Sequence, residues 1–193
     1  MIPGYLNDLH LPCVFGTNSN AVDRHILETT KNEHIVDSET LKVSGFVSAT
    51  FGQQEESLLK YFSVENPSSR PYSLIQIDNA IIKTPTTKRC DCALANDIHL
   101  CFIEFKANAV SLNNSVIERN YKKAIEQIVT TKNMFFTYFA AKGIDFLSLR
   151  SIEAFICFRQ GYPRNTSSQM NYRVAFAAAN GGIPLSFERK KVL

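Results

Sequence analysis

Residues Arg89–Asn108, RCDCALANDIHLCFIEFKAN, read as two short strands joined by a tight turn at Asn96-Asp97. Side chains alternate between the two faces of a strand, so Glu104 and Lys106 point the same way. A two-residue turn at Asn96-Asp97 sets Ala95 opposite Ile98 and Asp91 opposite Phe102. Phe102 shares its face with Glu104 and Lys106, so Asp91, Glu104 and Lys106 converge on one side of the hairpin. Two acids and an amine among Cys, Ala, Leu, Ile and Phe are costly to bury unless they pair or bind something.

Working outward, Ser48–Phe62, SATFGQQEESLLKYF, predicts an amphipathic helix with Phe51, Leu58, Leu59 and Phe62 on one stripe. Glu55 falls inside that stripe and Glu56 outside it. Either Glu55 meets a partner or metal, or it sits at the stripe's edge and reaches water. Tyr72–Ile82 reads as a strand, with Asp78 in a turn that splits it and as a reserve acidic candidate. Asn113–Ala141 predicts a long helical region, either continuous or broken once, with Tyr121, Ala124, Ile128, Phe135 and Phe139 on one stripe and Gln127 at its edge. Gly143 is a natural stop. Ser151–Phe158, SIEAFICF, predicts a strand covered on both faces. Tyr172–Ala179 reads as a further strand, and the basic end at Arg189–Lys191 as a solvated tail or a phosphate contact. Near the N-terminus, Asn18–Glu33 could hold a short helix capped by Ser19 or Asn20.

The Asp91 and Glu104-Phe105-Lys106 set, on a hairpin followed by a long helix and an apolar strand, resembles the PD-(D/E)xK nuclease superfamily. Cys90 stands where that family often has Pro. The resemblance implies an α/β fold in a single domain, residues 1–193, with a central mixed β-sheet flanked by helices. Its restriction-endonuclease-like α-β-β-β-α-β core would occupy 47–160, with an N-terminal extension over 1–46 and additional strands over 161–193. It also implies that Asp91, Glu104 and the Phe105 carbonyl hold Mg²⁺ or Mn²⁺, that Lys106 orients the attacking water, and that Glu55, on the helix ahead of the first strand, joins them. Gln127 stands where many members carry a polar helix residue, although Thr131 replaces the Tyr that often follows. The partner implied is nucleic acid, DNA before RNA, in restriction, defence or repair, and a homodimer is compatible with it. The alternatives are an inactive nuclease-like fold serving as a binding module, and Asp91–Glu104–Lys106 as a structural ion-pair network.

The other hairpin face offers Cys90, Cys92, His99 and Cys101. These could bind zinc and stabilise an interaction domain. One-residue spacing spreads ligands about 7 Å apart along a strand, however, so buried apolar thiols are the expectation. A Cys92–Cys101 disulfide across the strands is a further option. His10, His25 and His34 lack helical metal-pair spacing. The length of 193 residues allows one domain with a substantial core. A net charge of +3 permits a nucleic-acid partner without requiring one. Five cysteines in no paired framework suggest reduced thiols and a cytoplasmic setting. No signal-peptide pattern and no run of about 18 apolar residues appears, so no membrane partner is expected.

Overall fold

The Arg89–Asn108 hairpin lies in the middle of a six-stranded sheet, and a four-stranded sheet covers one face of it. The computed structural model describes residues 1–38, 42–48, 61–84, 86–162 and 166–193. The strands are β1 (Ile26–Thr29), β2 (Glu33–Asp37), β3 (Ser44–Ser48), β4 (Tyr61–Glu65), β5 (Tyr72–Gln76), β6 (Cys92–Ala95), β7 (His99–Lys106), β8 (Ser151–Phe158), β9 (Leu185–Ser186) and β10 (Lys190–Val192). The α-helices are α1 (Leu11–Val14), α2 (Ser19–Asp23), α3 (Asn114–Ala140) and α4 (Thr166–Ala179). The larger sheet runs β1-β5-β6-β7-β8-β9 and the smaller β10-β4-β2-β3. Both are mixed: β5, β6 and β7 form an antiparallel meander, α3 carries the chain across, and β8 returns parallel to β7. In the smaller sheet β10 joins β4 in parallel.

Alternation along β7 divides the interior into two cores. Leu100 and Phe102 point to the helical side, where they meet Tyr121, Ile128, Phe135 and Phe139 of α3. Cys101, Ile103 and Phe105 point to the other side and meet Ile35, Phe62 and Val64 of the smaller sheet. A strand buried on both faces needs a continuous apolar run, which β7 supplies over Leu100–Ile103 and β8 over Ala154–Phe158. The expected mixed sheet flanked by helices is present with its helical layer on one face. Among the described residues the helices contribute to one core, and a second sheet closes the other. Residues 1–46, expected as an extension, give Leu6, Leu9, Leu11, Val14 and Val22 to the helical core and β1 to the edge of the larger sheet.

Several segments differ from the sequence reading. Both ends of the expected helix over Ser48–Phe62 are strands: β3 ends at Ser48, and β4 begins at Tyr61 with Phe62 and Val64 buried alternately. Its middle, Glu55 and Glu56 included, lies outside the described residues. Tyr172–Ala179, expected as a strand, is the second half of α4. Phe176 and Asn180 are buried four residues apart, a helical period, and the run of alanines favours helix. The basic end is not a loose tail, because Lys190–Val192 is strand β10 and Lys191 is mostly buried on Glu153. At the N-terminus the helix is short, its cap is Asn18 accepting from the Ala21 N–H at 2.8 Å, and the chain then enters β1.

The hairpin turn sits one residue later than expected. Asn96 accepts at its side-chain oxygen from the N–H groups of Ile98 (2.9 Å) and His99 (2.7 Å), and its own N–H donates to the His99 carbonyl at 3.0 Å. Asn at the first position of a turn does this because its short carbonyl arm mimics backbone. The two central residues are therefore Asp97 and Ile98, and Ala95 pairs with Leu100. The register moves by two, an even number, so every side chain keeps its face. One step beyond the Cys92–Ile103 pair, Asp91 comes level with Glu104 instead of Phe102.

Candidate functional site

Glu104 is 1% exposed, near the end of a strand whose neighbours are almost all apolar. One carboxylate oxygen pairs with the Lys106 ammonium. The other, Oε2, is buried with no hydrogen-bond partner. Loss of hydration pushes the Glu104 carboxyl up to about 7. Lys106 pulls it back, while Asp78 and Asp37 add to the rise. Asp91, partly buried immediately before β6, accepts from the Phe105 N–H at 2.5 Å. Its carboxyl also lies well above the usual carboxylate range. Loss of hydration is the main cause, with Glu104 and Asp37 adding repulsion, against which the Phe105 N–H and Lys106 act.

The long helix holds the ammonium in place. Lys106 Nζ donates to Gln127 Oε1 at 2.9 Å, and Gln127 Nε2 donates to the Arg89 carbonyl at 2.9 Å. One turn on, Thr131 accepts from the Cys90 N–H at 2.9 Å and donates to the Gln127 carbonyl at 3.1 Å. Gln127 and Thr131, four apart on one helical face, thus grip the backbone on either side of the Arg89–Cys90 peptide and steer the chain into Asp91. Thr131→Val keeps the shape but leaves a buried N–H without its acceptor. We expect a loss of about 1–3 kcal/mol in urea unfolding, and an unchanged midpoint would remove this role.

Asp78 is at the same end of the sheet. Its Oδ1 lies 2.7 Å from Nε of the buried Arg89, whose guanidinium also donates to the Thr84 and Thr87 carbonyls. That pairing gives Asp78 a structural role: it anchors the loop leading into Asp91. Asp37, at the end of β2, was missed by the sequence reading. It lines a cleft of about 400 Å³ together with Phe105, Lys106 and Ser111. It reaches this place from the other sheet, some fifty residues up the chain, and no local pattern marks it. The sequence-predicted residues Asp91, Glu104, Lys106 and Gln127 come together, and Glu55 lies outside the described residues.

The opposite face shows no converging thiols. Cys90 faces the helical core, whereas Cys92 and Cys101 lie in the core between the sheets. With the shifted turn Cys101 pairs with Leu94, not Cys92, and all five cysteines are free. Burial pushes the Cys90, Cys92 and Cys101 thiols up, away from the thiolate a metal needs. His99 lies instead 3.8 Å from Glu153. Among the described residues no three His, Cys, Asp or Glu side chains gather into a ready metal cluster, and no helix is long and apolar enough to cross a membrane.

Comparison with protein-family models, with curated proteins and with solved structures gives no match.

Proposed function

We propose that the chain is a metal-dependent nuclease of the PD-(D/E)xK type, cleaving phosphodiester bonds of nucleic acid, DNA before RNA. The observation that carries this reading is the buried, unpartnered Oε2 of Glu104, with Asp91 level with it and Lys106 clasping its other oxygen. A carboxylate oxygen kept from water without a hydrogen bond is costly, and a hard cation is a natural ligand for it. Further support comes from the order meander, helix, parallel strand, which agrees with the β-β-β-α-β part of that superfamily's core.

The donor set fits Mg²⁺ or Mn²⁺: oxygen ligands from Asp91 and Glu104, with the Phe105 carbonyl as the third oxygen that the resemblance implies. Such an ion, when bound, acidifies a water and takes up negative charge on the phosphate. The chain's own residues do the rest. Glu104 offers its second oxygen from a fixed strand, and the Phe105 N–H orients Asp91. Gln127 holds the Lys106 ammonium beside the carboxylates, where it can stabilise charge building on a phosphate oxygen.

The test is a cleavage assay on plasmid, linear duplex, single-stranded DNA and RNA, with and without Mn²⁺. Wild type should cut only with metal, and Asp91→Ala should remain folded and inactive. No cleavage of any substrate by wild type, together with no Mn²⁺ binding by calorimetry, would leave the trio as an ion-pair network in a binding module.

A further inference from the structure

A second cleft, of about 760 Å³, opens beside this site and is not used by it. Its walls include Tyr61, Arg159, Tyr162, Phe187, Arg189 and Lys190. It begins at Phe158, the β8 residue paired with Lys106 of β7, so the backbone at its edge lies one strand spacing, about 4.8 Å, from the backbone of Lys106. The Tyr162 hydroxyl donates to the Ser111 carbonyl at 2.6 Å, and Ser111 lines the smaller cleft that contains Lys106. The two clefts therefore share a wall at the C-terminal ends of β7 and β8.

Three cations line the larger cleft against one acid, Glu188. Arg159 is half-buried, and among the described residues no carboxylate pairs with it. Lys190 pairs with Glu65 at 2.6 Å, but both side chains are about half exposed, so the pair exchanges readily with water or another anion. Tyr61, Tyr162 and Phe187 are each only partly buried. A duplex offers a protein surface its phosphates and groove edges and keeps its base faces stacked inside. Aromatic rings between cations suit a strand whose bases are unpaired.

We propose that this cleft binds an unpaired nucleic-acid strand and leads it to Lys106, with phosphates on Arg159 and Lys190 and bases against the aromatic walls. The direction of travel rests on the nuclease reading; the binding itself does not.

The test is fluorescence anisotropy in EDTA with labelled oligo-dT, oligo-rU and a duplex of the same length, on wild type, Arg159→Ala, Arg159→Lys and Lys142→Ala, an exposed lysine just past the C-terminal end of α3 that lines neither cleft. Wild type should bind one or both single strands more tightly than duplex, the two oligomers reporting whether the 2′-hydroxyl matters. Arg159→Ala should weaken that binding by about tenfold and reduce the log–log salt slope by about 0.7, with Arg159→Lys between in affinity and Lys142→Ala unchanged. Equal binding by wild type and Arg159→Ala, preference for duplex, or no binding by wild type would each overturn the proposal. Adding Mn²⁺ to the same samples separates the two readings. Arg159-dependent binding without cleavage keeps the cleft and rejects the nuclease; cleavage indifferent to Arg159 keeps the nuclease and rejects the cleft.

Discussion

Glu104→Gln is expected to lower metal-dependent cleavage by at least about a hundredfold while the metal-free protein melts at the same or a higher temperature at pH 8. Gln has the same shape and still accepts from Lys106, but it cannot carry the charge that a cation requires. The stability gain follows from linkage. The ordinary Glu value is 4.5 and the folded value about 7. Between them the folded state holds a proton that the unfolded chain has released. Stability of the metal-free wild type should therefore fall as pH rises from about 4.5 to about 7, then level off, by an amount on the order of a few kcal/mol. Glu104→Gln should flatten this slope, although Asp91, shifted in the same direction, leaves some of it. Melting curves across that range, beside cleavage rates, check both halves. Near-wild-type cleavage by the Gln variant would remove Glu104 from the chemistry.

Lys106→Ala separates catalysis from charge balance. The ammonium touches both Glu104 and Gln127, so its loss strands a buried carboxylate and an amide oxygen together. Without metal, Glu104 should respond by holding its proton to still higher pH, and the melting temperature should drop. With Mn²⁺ bound, the cation replaces the lost positive charge and much of the drop should be recovered. Metal affinity should stay the same or tighten, because Lys is not a ligand and repels the ion. Cleavage per folded molecule should nevertheless fall by about a hundredfold or more, since the charge beside the phosphate is gone. Melting temperature, Mn²⁺ affinity and rate on one preparation decide the matter. Normal turnover per folded molecule would make Lys106 a structural counter-ion.

The sequence was most legible where one period ran long enough to exclude the other. The eight apolar-rich residues of β8 and the 27 residues of α3 were read almost to the residue. The hairpin was read with its turn one place early, because the Asn-Asp pair looks like a turn centre, whereas Asn96 works as an acceptor at its start. The error was harmless to the site, since a shift of two residues preserves the faces, and Asp91, Glu104 and Lys106 still converged. Tyr61 and Phe62, the start of β4, read as the end of a helix because Phe62 fits a helical stripe as well as a strand alternation. The strand wins through its partners β2 and β10, which lie far away in the sequence. Gln127 was legible from its place on α3, but its bond to the Arg89 carbonyl was not. Asp37 was invisible for the same reason: it meets the site only after the smaller sheet has docked on the larger.

The burial of β7 on both faces has a bearing on how the protein would fail under heat. Leu100 to Phe105 are sealed between the helical core and the second sheet, and Glu104 is part of that same stretch of backbone. In many proteins the working residues ride on loops that fray first, and function fades before the body unfolds. Here the strand carrying the acid cannot come loose without dissolving both cores. Amide protons of Leu100–Phe105 should be among the slowest to exchange with deuterium. Thermal inactivation and global unfolding should then coincide as one cooperative event, with no warm, folded but inert intermediate between them.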